Sequence, residues 1–249
     1  MTRPHILLVL AVALGLAGAA CGSGTAAETT ATTTETIPIT DLMTTTPAAP
    51  ASDAPTDYPG FRQQPTACGA KAPPPIEVQQ FDAPEDLALD AAQTITVVLA
   101  TSCGEIVIEM DPGASPETVN SFVFLAQQTF FDGGASHRVV PSFLIQAGDP
   151  TATGFGGPGY AIPDEFPEEG FVYERGVVAM ANAGPGTTGS HFFIMTGDSG
   201  LPPTFSVLGR VVEGLEVLDR IAAIPLGFSA RGEMSVPLET LYLESVTVL

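Results

Sequence analysis

The C-terminal part of the chain alternates short β-branched runs with loops rich in glycine and proline. Residues 94–99 (Thr-Ile-Thr-Val-Val-Leu) and 106–110 (Ile-Val-Ile-Glu-Met) predict two strands, and the turn residues 102–104 between them predict a hairpin. Further short β-rich runs follow as far as Val212, and residues 240–249 predict a final strand. Many short strands separated by turn signals are typical of an antiparallel barrel.

Two stretches have helical rather than strand periodicity. The first begins at Ser115, which we expect to cap a helix, with Pro116 at the first helical position and Glu117 in the first turn. Its apolar residues recur at intervals of three and four, namely Val119, Phe122, Val123, Ala126 and Phe130. A second helix is predicted for residues 215–224, with an apolar face formed by Leu215, Leu218, Ile221 and Ala222.

The N-terminus has the features of an export signal. Residues 6–20 form an uncharged apolar run that follows Arg3. This run is shorter than the roughly 20 residues that span a bilayer, and it fits the apolar core of a secretory signal peptide. Small residues then lead into Cys21, which resembles a bacterial lipobox although Gly18 replaces the usual leucine or valine.

The resemblance to a lipobox implies that Cys21 is lipidated and becomes the N-terminus of an exported protein. The protein would then be anchored on the extracytoplasmic face of the cell membrane. The alternative is ordinary signal cleavage after Ala19 or Ala20, which leaves Cys21 as a free thiol. We assign residues 1–21 to a signal peptide with a lipobox.

The chain between the signal and the β-rich region divides into two segments of different composition. Residues 22–64 are dominated by Thr, Ala and Pro, contain too few apolar residues to form a core, and are predicted to be a disordered linker. Such a tether would reach roughly 35–40 Å as a flexible coil. Residues 65–92, which include three consecutive prolines, predict an ordered extension of a domain that occupies residues 93–249.

The cysteines of the chain are Cys21, Cys68 and Cys103. If Cys21 carries lipid, the other two can form a disulfide, because disulfides form and persist in compartments outside the cytoplasm. Two free, buried thiols are the alternative interpretation.

Charge and histidine content restrict the classes of function. Acidic residues outnumber basic ones 28 to 8, which gives a formal net charge of −20. A surface of this sign repels nucleic acid and anionic lipid, so no nucleic-acid partner is expected. Outside the signal region the histidines are His137 and His191, too few and too far apart in sequence for a typical zinc-ligand cluster, and no metal site is predicted.

Two short motifs match the sequence patterns of known sites but lack the neighbouring elements or partner residues that those sites require. Residues 154–159 (Gly-Phe-Gly-Gly-Pro-Gly) satisfy the pattern of a dinucleotide-binding loop, but no convincing strand precedes them and no helix follows, so we predict a flexible loop. Residues 197–200 (Gly-Asp-Ser-Gly) copy the nucleophile of trypsin-like proteases. A triad also needs a histidine in its own sequence context, which neither candidate histidine has, and a turn is the better interpretation.

Four separated segments resemble the cyclophilin family. Residues 136–149 (Ser-His-Arg-Val-Val-Pro-Ser-Phe-Leu-Ile-Gln-Ala-Gly-Asp) resemble its central signature F-H-R-I-I-P-x-F-M-x-Q-G-G-D, and residues 180–185 match M-A-N-A-G-P without change. Residues 187–194 (Thr-Thr-Gly-Ser-His-Phe-Phe-Ile) closely match N-T-N-G-S-Q-F-F-I, and residues 201–211 resemble L-P-x-x-Y-T-V-F-G-x-V. The segments occur in the family's order, and the resemblance covers about residues 93–249.

This resemblance implies a mainly β fold, a closed eight-stranded antiparallel barrel capped by two helices. It also implies peptidyl-prolyl cis-trans isomerase activity on X-Pro bonds, without a cofactor. The expected partners are proline-containing peptides and unfolded or exported proteins, whose folding the protein would assist outside the membrane.

The resemblance also assigns roles to individual residues. Arg138 would be the catalytic hydrogen-bond donor to the proline nitrogen, and Gln146 would orient the rotating carbonyl group. Phe143, Leu144 and Phe193 would form the floor and wall that grip the proline ring. The full set of residues that would bind substrate is Phe143, Leu144, Ala181, Asn182, His191, Phe193, Leu201 and Phe205.

Each assignment has a structural alternative. Arg138 could be a surface arginine, the two phenylalanines at 143 and 193 could be core aromatics, and Asn182 could be a turn residue. For His137 we favour the structural interpretation over a catalytic one.

Three positions depart from the family pattern. His191 replaces a glutamine that helps to bind substrate, and histidine changes its charge near neutral pH. Gly200 stands where many relatives have a tryptophan that helps to bind cyclosporin, so weak or no cyclosporin binding is expected, and a nanomolar dissociation constant would contradict this. Phe205 replaces the usual histidine or tyrosine, which makes that wall of the pocket more apolar.

Two other classes of function remain open. A cyclophilin-like barrel could hold proline-containing segments as a chaperone or binding module without useful turnover, and a purely structural envelope protein would explain the anchor and tether. Arg138, Phe143, Gln146 and Phe193 favour the enzyme, whereas His191 keeps the binding module open.

Overall fold

The computed structural model describes residues 54–249, and its main feature is a curled antiparallel sheet of nine strands. The sheet contains β1 (Ile95–Thr101), β2 (Gly104–Met110), β3 (Gly134–Ala135), β4 (Arg138–Val140), β5 (Leu144–Ala147), β6 (Val177–Met180), β7 (Phe192–Met195), β8 (Val207–Glu213) and β11 (Tyr242–Val248). A separate hairpin contains β9 (Leu226–Phe228) and β10 (Met234–Pro237). The strand order in the main sheet is β3-β11-β1-β2-β8-β6-β7-β5-β4.

The predicted antiparallel β fold is confirmed, with nine strands in the main sheet instead of the predicted eight. The two edge strands, β3 and β4, are separated by only Ser136 and His137. The Ser136 backbone N–H donates to Leu241 O (2.8 Å), and its hydroxyl donates to Gln146 O (2.7 Å). Ser136 therefore joins the two sides of the curled sheet. The two-residue strand β3, which pairs with β11, brings the count to nine instead of eight.

Alternation along the central strands divides their side chains between two apolar clusters. In β7, Phe192 and Ile194 point into the main core, whereas Phe193 and Met195 belong to a cluster on the other face of the sheet. Successive residues of a strand point to opposite faces, so each strand contributes to both clusters. Burial on both faces explains why residues 192–195 are apolar without alternation.

Both predicted helices are present, although the first is not capped as expected. They are α2 (Pro116–Gln127) and α3 (Leu215–Ala222), so α3 ends two residues before the predicted end. The Ser115 side chain makes no capping hydrogen bond. Instead, the Glu165 carboxylate accepts from the N–H groups of Glu117 (3.1 Å) and Thr118 (2.7 Å). An acidic group from a distant loop thus accepts from two of the free N–H groups and lies at the positive end of the helix dipole.

Residues 54–64, which lie in the predicted linker, are part of the folded body. Residues 58–61 form a short helix, α1 (Tyr58–Phe61), whose first turn is capped by the Asp57 carboxylate accepting from Gly60 N (2.9 Å). Phe61 is only 1% exposed and packs in a small cluster with Tyr242. Tyr58 and Phe61 provide apolar surface that the Thr/Ala/Pro-rich residues before them lack, which is why the linker prediction fails for 54–64. The rest of the predicted linker, the signal peptide and Cys21 lie outside the described residues.

The extension at residues 65–92 is attached to the barrel at several points. The predicted disulfide is confirmed: Cys68 and Cys103 are bonded, with their Cα atoms 5.2 Å apart and a sequence separation of 35. Loop-closure entropy alone would make such a cross-link worth roughly 3–4 kcal/mol of stability. Thr240 pairs with Thr66 in an isolated bridge, and Phe81 packs edge-on against the Phe124 ring of α2. Within residues 54–249 there is no helix with the length and hydrophobicity needed to cross a membrane.

Candidate active site

Sheet register places three predicted site residues and Ala179 in one row across the outer face of the barrel. Arg138 in β4 lies opposite Gln146 in β5, Gln146 lies opposite Phe193 in β7, and Phe193 lies opposite Ala179 in β6. Directly paired residues of antiparallel strands have their side chains on the same face. The row therefore runs from a cationic group through an amide to an apolar floor.

An apolar cluster, which we take as the candidate proline pocket, lies beside this row. Leu144 and Phe193 are nearly fully buried, and the Phe193 ring meets the Phe205 ring edge-to-face with centroids 5.5 Å apart. Partly exposed apolar residues pack against them, namely Phe143, Ala181, Leu201 and Phe205. The structure thus brings together all six apolar residues that the sequence resemblance assigns to substrate binding.

Tyr173 is a buried residue of this cluster that no sequence motif indicated. Its ring packs between Phe205 (6.2 Å between centroids) and Phe171 (5.1 Å), and its hydroxyl donates to Phe205 O at 2.7 Å. Burial raises the pKa of this hydroxyl, so it stays a neutral donor. Tyr173 fixes the position of Phe205 through the backbone as well as through ring contact.

The Arg138 guanidinium is held on three sides. Its Nη1 approaches Gln146 Oε1 (3.5 Å), and its Cζ lies 5.9 Å from the centre of the Phe143 ring. Its Nε and Nη2 donate to the two carboxylate oxygens of Glu233, at 2.7 and 2.8 Å. Hydrogen bonding from Arg138 lowers the pKa of the Glu233 carboxyl, which is therefore ionised at neutral pH. No sequence motif indicated Glu233, which lies 95 residues after Arg138.

The segment expected to pair with a substrate backbone is only partly available. The Ala181 N–H already donates to His191 O (2.8 Å). The Asn182 side chain is structural, since its Nδ2 donates to Thr204 O (2.9 Å) and its Oδ1 accepts from Gly184 N (3.2 Å). Within the described part of the chain, the backbone N–H and C=O of Asn182 make no hydrogen bond. The Asn182 backbone can therefore offer both a donor and an acceptor to an extended peptide, whereas the Ala181 N–H cannot.

His191 is tied to the loop that precedes β6. Its Nε2 lies 2.7 Å from Gly156 O and 3.8 Å from a carboxylate oxygen of the buried Asp149. Because a carbonyl oxygen only accepts, Nε2 carries the proton and donates. Asp149 in turn accepts from the N–H groups of Thr151 (2.8 Å) and Gly154 (2.6 Å). The glycine-rich segment 154–159 is thus a loop, as predicted, but its hydrogen bonds to Asp149 and His191 hold it in place where a flexible loop was expected.

Comparison with protein families agrees with this geometry. The family described as cyclophilin type peptidyl-prolyl cis-trans isomerase/CLD matches residues 96–248. The chain belongs to the cyclophilin family.

Several cyclophilins resemble the chain in sequence. It is 41% identical over 172 residues to a probable peptidyl-prolyl cis-trans isomerase B of Mycobacterium tuberculosis, an alignment that covers 63% of this chain and 55% of that protein. The chain thus spans about half the length of this relative. It is 39% identical over 176 residues to peptidyl-prolyl cis-trans isomerase B of Streptomyces anulatus, covering 63% of this chain and 98% of that one.

Solved cyclophilins share the fold. A Cryptosporidium parvum cyclophilin type peptidyl-prolyl cis-trans isomerase superposes with a TM-score of 0.56 at 26% identity, covering 63% of this chain and 98% of that chain. The same protein in the presence of the dipeptide Ala-Pro gives a TM-score of 0.55 at 27% identity, covering 62% of this chain and 98% of that one.

His137 is the second histidine beside this cyclophilin site. Its ring lies 5.5 Å from the His191 ring, and its buried Nδ1 has no hydrogen-bond partner among residues 54–249. Burial lowers the pKa of His137 to about 4, and the neighbouring His191 and Arg138 act in the same direction, while Asp149 opposes them. His137 is therefore neutral at neutral pH, which fits the structural interpretation.

We predict that His137 makes stability fall in mild acid. The unfolded chain takes up a proton near the ordinary pKa of 6.5, but the folded chain does so only near 4. Between these values the unfolded state binds more protons, so the free energy of unfolding should fall by roughly 2–3 kcal/mol as the pH drops through this interval. The pKa of Asp149 is lowered, as hydrogen bonds from Thr151 outweigh the effect of burial, so Asp149 affects stability only at lower pH.

Chemical unfolding at a series of pH values measures this effect. The His137→Asn variant should show a flatter profile between pH 6.5 and 4, whereas His191→Gln should keep most of the slope. Titration of the His137 ring by NMR in the unmodified protein gives an independent value. A ring that titrates at the ordinary pKa, or equal slopes for the protein and His137→Asn, would contradict the prediction.

Proposed function

We propose that this chain catalyses cis-trans isomerisation of X-Pro peptide bonds. The observation that carries the proposal is the position of the Arg138 guanidinium, fixed at the edge of an apolar pocket with N–H groups left to donate. The Cryptosporidium relative studied with the dipeptide Ala-Pro supports a proline-containing peptide as the substrate.

The chemistry requires no covalent step. Rotation about a peptide bond costs about 18–20 kcal/mol because resonance gives the C–N bond double-bond character. In the twisted state the proline nitrogen regains a lone pair that can accept a hydrogen bond. Arg138, which is permanently charged, donates to that nitrogen and favours the twisted state over either planar state. Each tenfold acceleration requires about 1.4 kcal/mol of such selective binding.

The remaining groups orient the substrate. The Gln146 Oε1 atom faces Arg138, so its amide N–H₂ group is available to donate to the rotating carbonyl group. Phe143, Phe193 and Phe205 enclose the proline ring, and the Asn182 backbone pairs with the peptide as a short added strand. The rest of the substrate is thereby held while one bond turns.

A binding module without turnover is the second candidate, and His191 favours it. The Nε2–H of His191 is already donated to Gly156 O, so it is less available to a substrate than the glutamine of most relatives. A measurement of the isomerisation rate distinguishes catalysis from binding without turnover.

We predict that Arg138→Ala lowers the isomerisation rate at least tenfold, a loss of about 1.4 kcal/mol or more of transition-state stabilisation. Line-shape analysis of NMR exchange in a short X-Pro peptide measures the rate for the protein and the variant. Arg210→Ala is the matched control, because it removes an exposed arginine that contacts Glu174 (3.1 Å) on the surface. Peptide binding without catalysis by the unmodified, folded protein would favour the binding module.

We further propose that the protein is exported and lipid-anchored, and that it assists the folding of exported or envelope proteins. The apolar run at 6–20 and Cys21 support export and lipidation. The Cys68–Cys103 disulfide supports an oxidising compartment.

Lipidation can be measured directly. In a bacterial host, a clickable fatty-acid analogue should label the unmodified protein, which should sediment with membranes, whereas Cys21→Ser should remain unlabelled. Cys103→Ser, which keeps Cys21, should retain the label. An unlabelled mature protein that begins at or near residue 20 would instead establish ordinary signal cleavage.

A further inference from the structure

The Arg138–Glu233 contact is a two-point ion pair and not a single surface contact. Both carboxylate oxygens are used, one by Nε and the other by Nη2, at 2.7 and 2.8 Å. Paired contacts of this kind fix the plane of the guanidinium as well as its position. Both side chains are partly exposed, 27% for Arg138 and 42% for Glu233, so a substrate can still reach the guanidinium.

The turn that carries Glu233 is itself fixed. Ser229 N donates to Glu233 O (2.8 Å), Gly232 N donates to Ser229 O (2.9 Å), and Glu233 N donates to the Ser229 hydroxyl (3.2 Å). Gly232 has φ of +79°, a left-handed conformation that glycine adopts at low cost. The turn therefore presents the Glu233 side chain in one direction.

The hairpin behind this turn is held against the body of the protein. Its strand β10 lies beside β4, the strand of Arg138. Val236 is buried in the cluster that contains Phe61, and Gly227 approaches Ala54 so closely that a Cβ at Gly227 would lie 2.9 Å from the Ala54 Cβ. The hairpin is thus braced by the residues before the barrel. Glu233 therefore lies on a turn that is held in place, although its own side chain is 42% exposed.

We propose that Glu233 positions Arg138 for catalysis, an inference that rests on the proposed isomerase function. Glu233 occupies Nε and one N–H of Nη2, and Gln146 faces Nη1. The remaining N–H groups of Nη1 and Nη2 point away from the carboxylate and are left for the proline nitrogen. An unpaired arginine side chain would distribute itself among many rotamers and lose this alignment. Glu233 is a positioning residue because it acts through Arg138.

Replacement of Glu233 by glutamine tests the proposal. A glutamine can accept from only one of the two N–H groups and presents its own NH₂ to the other. We expect Glu233→Gln to lower kcat roughly fivefold to tenfold with little change in KM, because the pocket that binds the proline ring is untouched. Asp219→Asn is the matched control. It removes an exposed acid of α3 that pairs with Arg175 (2.8 Å), and it should leave kcat unchanged.

A spectroscopic measurement makes the result independent of activity. In the unmodified protein the Arg138 Nε–H should exchange slowly with solvent and give a resolved ¹H–¹⁵N signal, and in Glu233→Gln this protection should be lost. An unprotected Nε–H in the unmodified protein, or a kcat that is unchanged or higher in Glu233→Gln, would overturn the proposal. If the unmodified protein lacks isomerase activity, the proposed function fails, and the positioning role for catalysis fails with it, while the Nε–H signal still reports the ion pair.

Discussion

Alternation of side chains along β5, β6 and β7 is the constraint on which the candidate site depends. Each of these strands must fill the interior of the barrel with every second residue and form the outer pocket with the residues between. Ile145 and Phe192 are core residues, whereas Leu144 and Phe193 are pocket residues one position away. A shift of register by one residue would exchange the two sets and destroy both the core and the pocket. Stability and the pocket are thus specified by the same strands.

Arg138 lies in β4, an edge strand of the sheet. This strand alone could not hold a long cationic side chain in one position. Its strand has three residues, and Ser136 links it across the closure to Leu241 and Gln146. The β9–β10 hairpin supplies the opposing carboxylate, and the residues before the barrel support that hairpin. Residues 54–61 therefore belong to the physical unit that holds the candidate site, although they lie outside the matched family segment, which begins at residue 96.

The sequence allowed several parts of this structure to be predicted. The hairpin of β1 and β2 and both main helices follow from periodicity, and the disulfide follows from the cysteine count. Motif resemblance names Arg138, Gln146 and Phe193 as candidate site residues, but the row that they form comes only from the register of the folded sheet. The helix cap at Ser115 was predicted wrongly because a distant carboxylate, Glu165, outcompetes the local serine. Glu233 and Tyr173 could not be predicted, since their roles arise from contacts between segments with no shared motif. Their positions depend on the folded topology alone.

The central claim is that Arg138 meets the proline nitrogen of a peptide bound in the outer pocket. A crystal structure of the protein with a short X-Pro peptide tests it most directly. We expect the proline ring against Phe143 and Phe193, the peptide backbone paired with Asn182, and a guanidinium N–H within hydrogen-bond reach of the proline nitrogen. A peptide seated elsewhere, or one whose proline lies beyond reach of Arg138, would contradict the account.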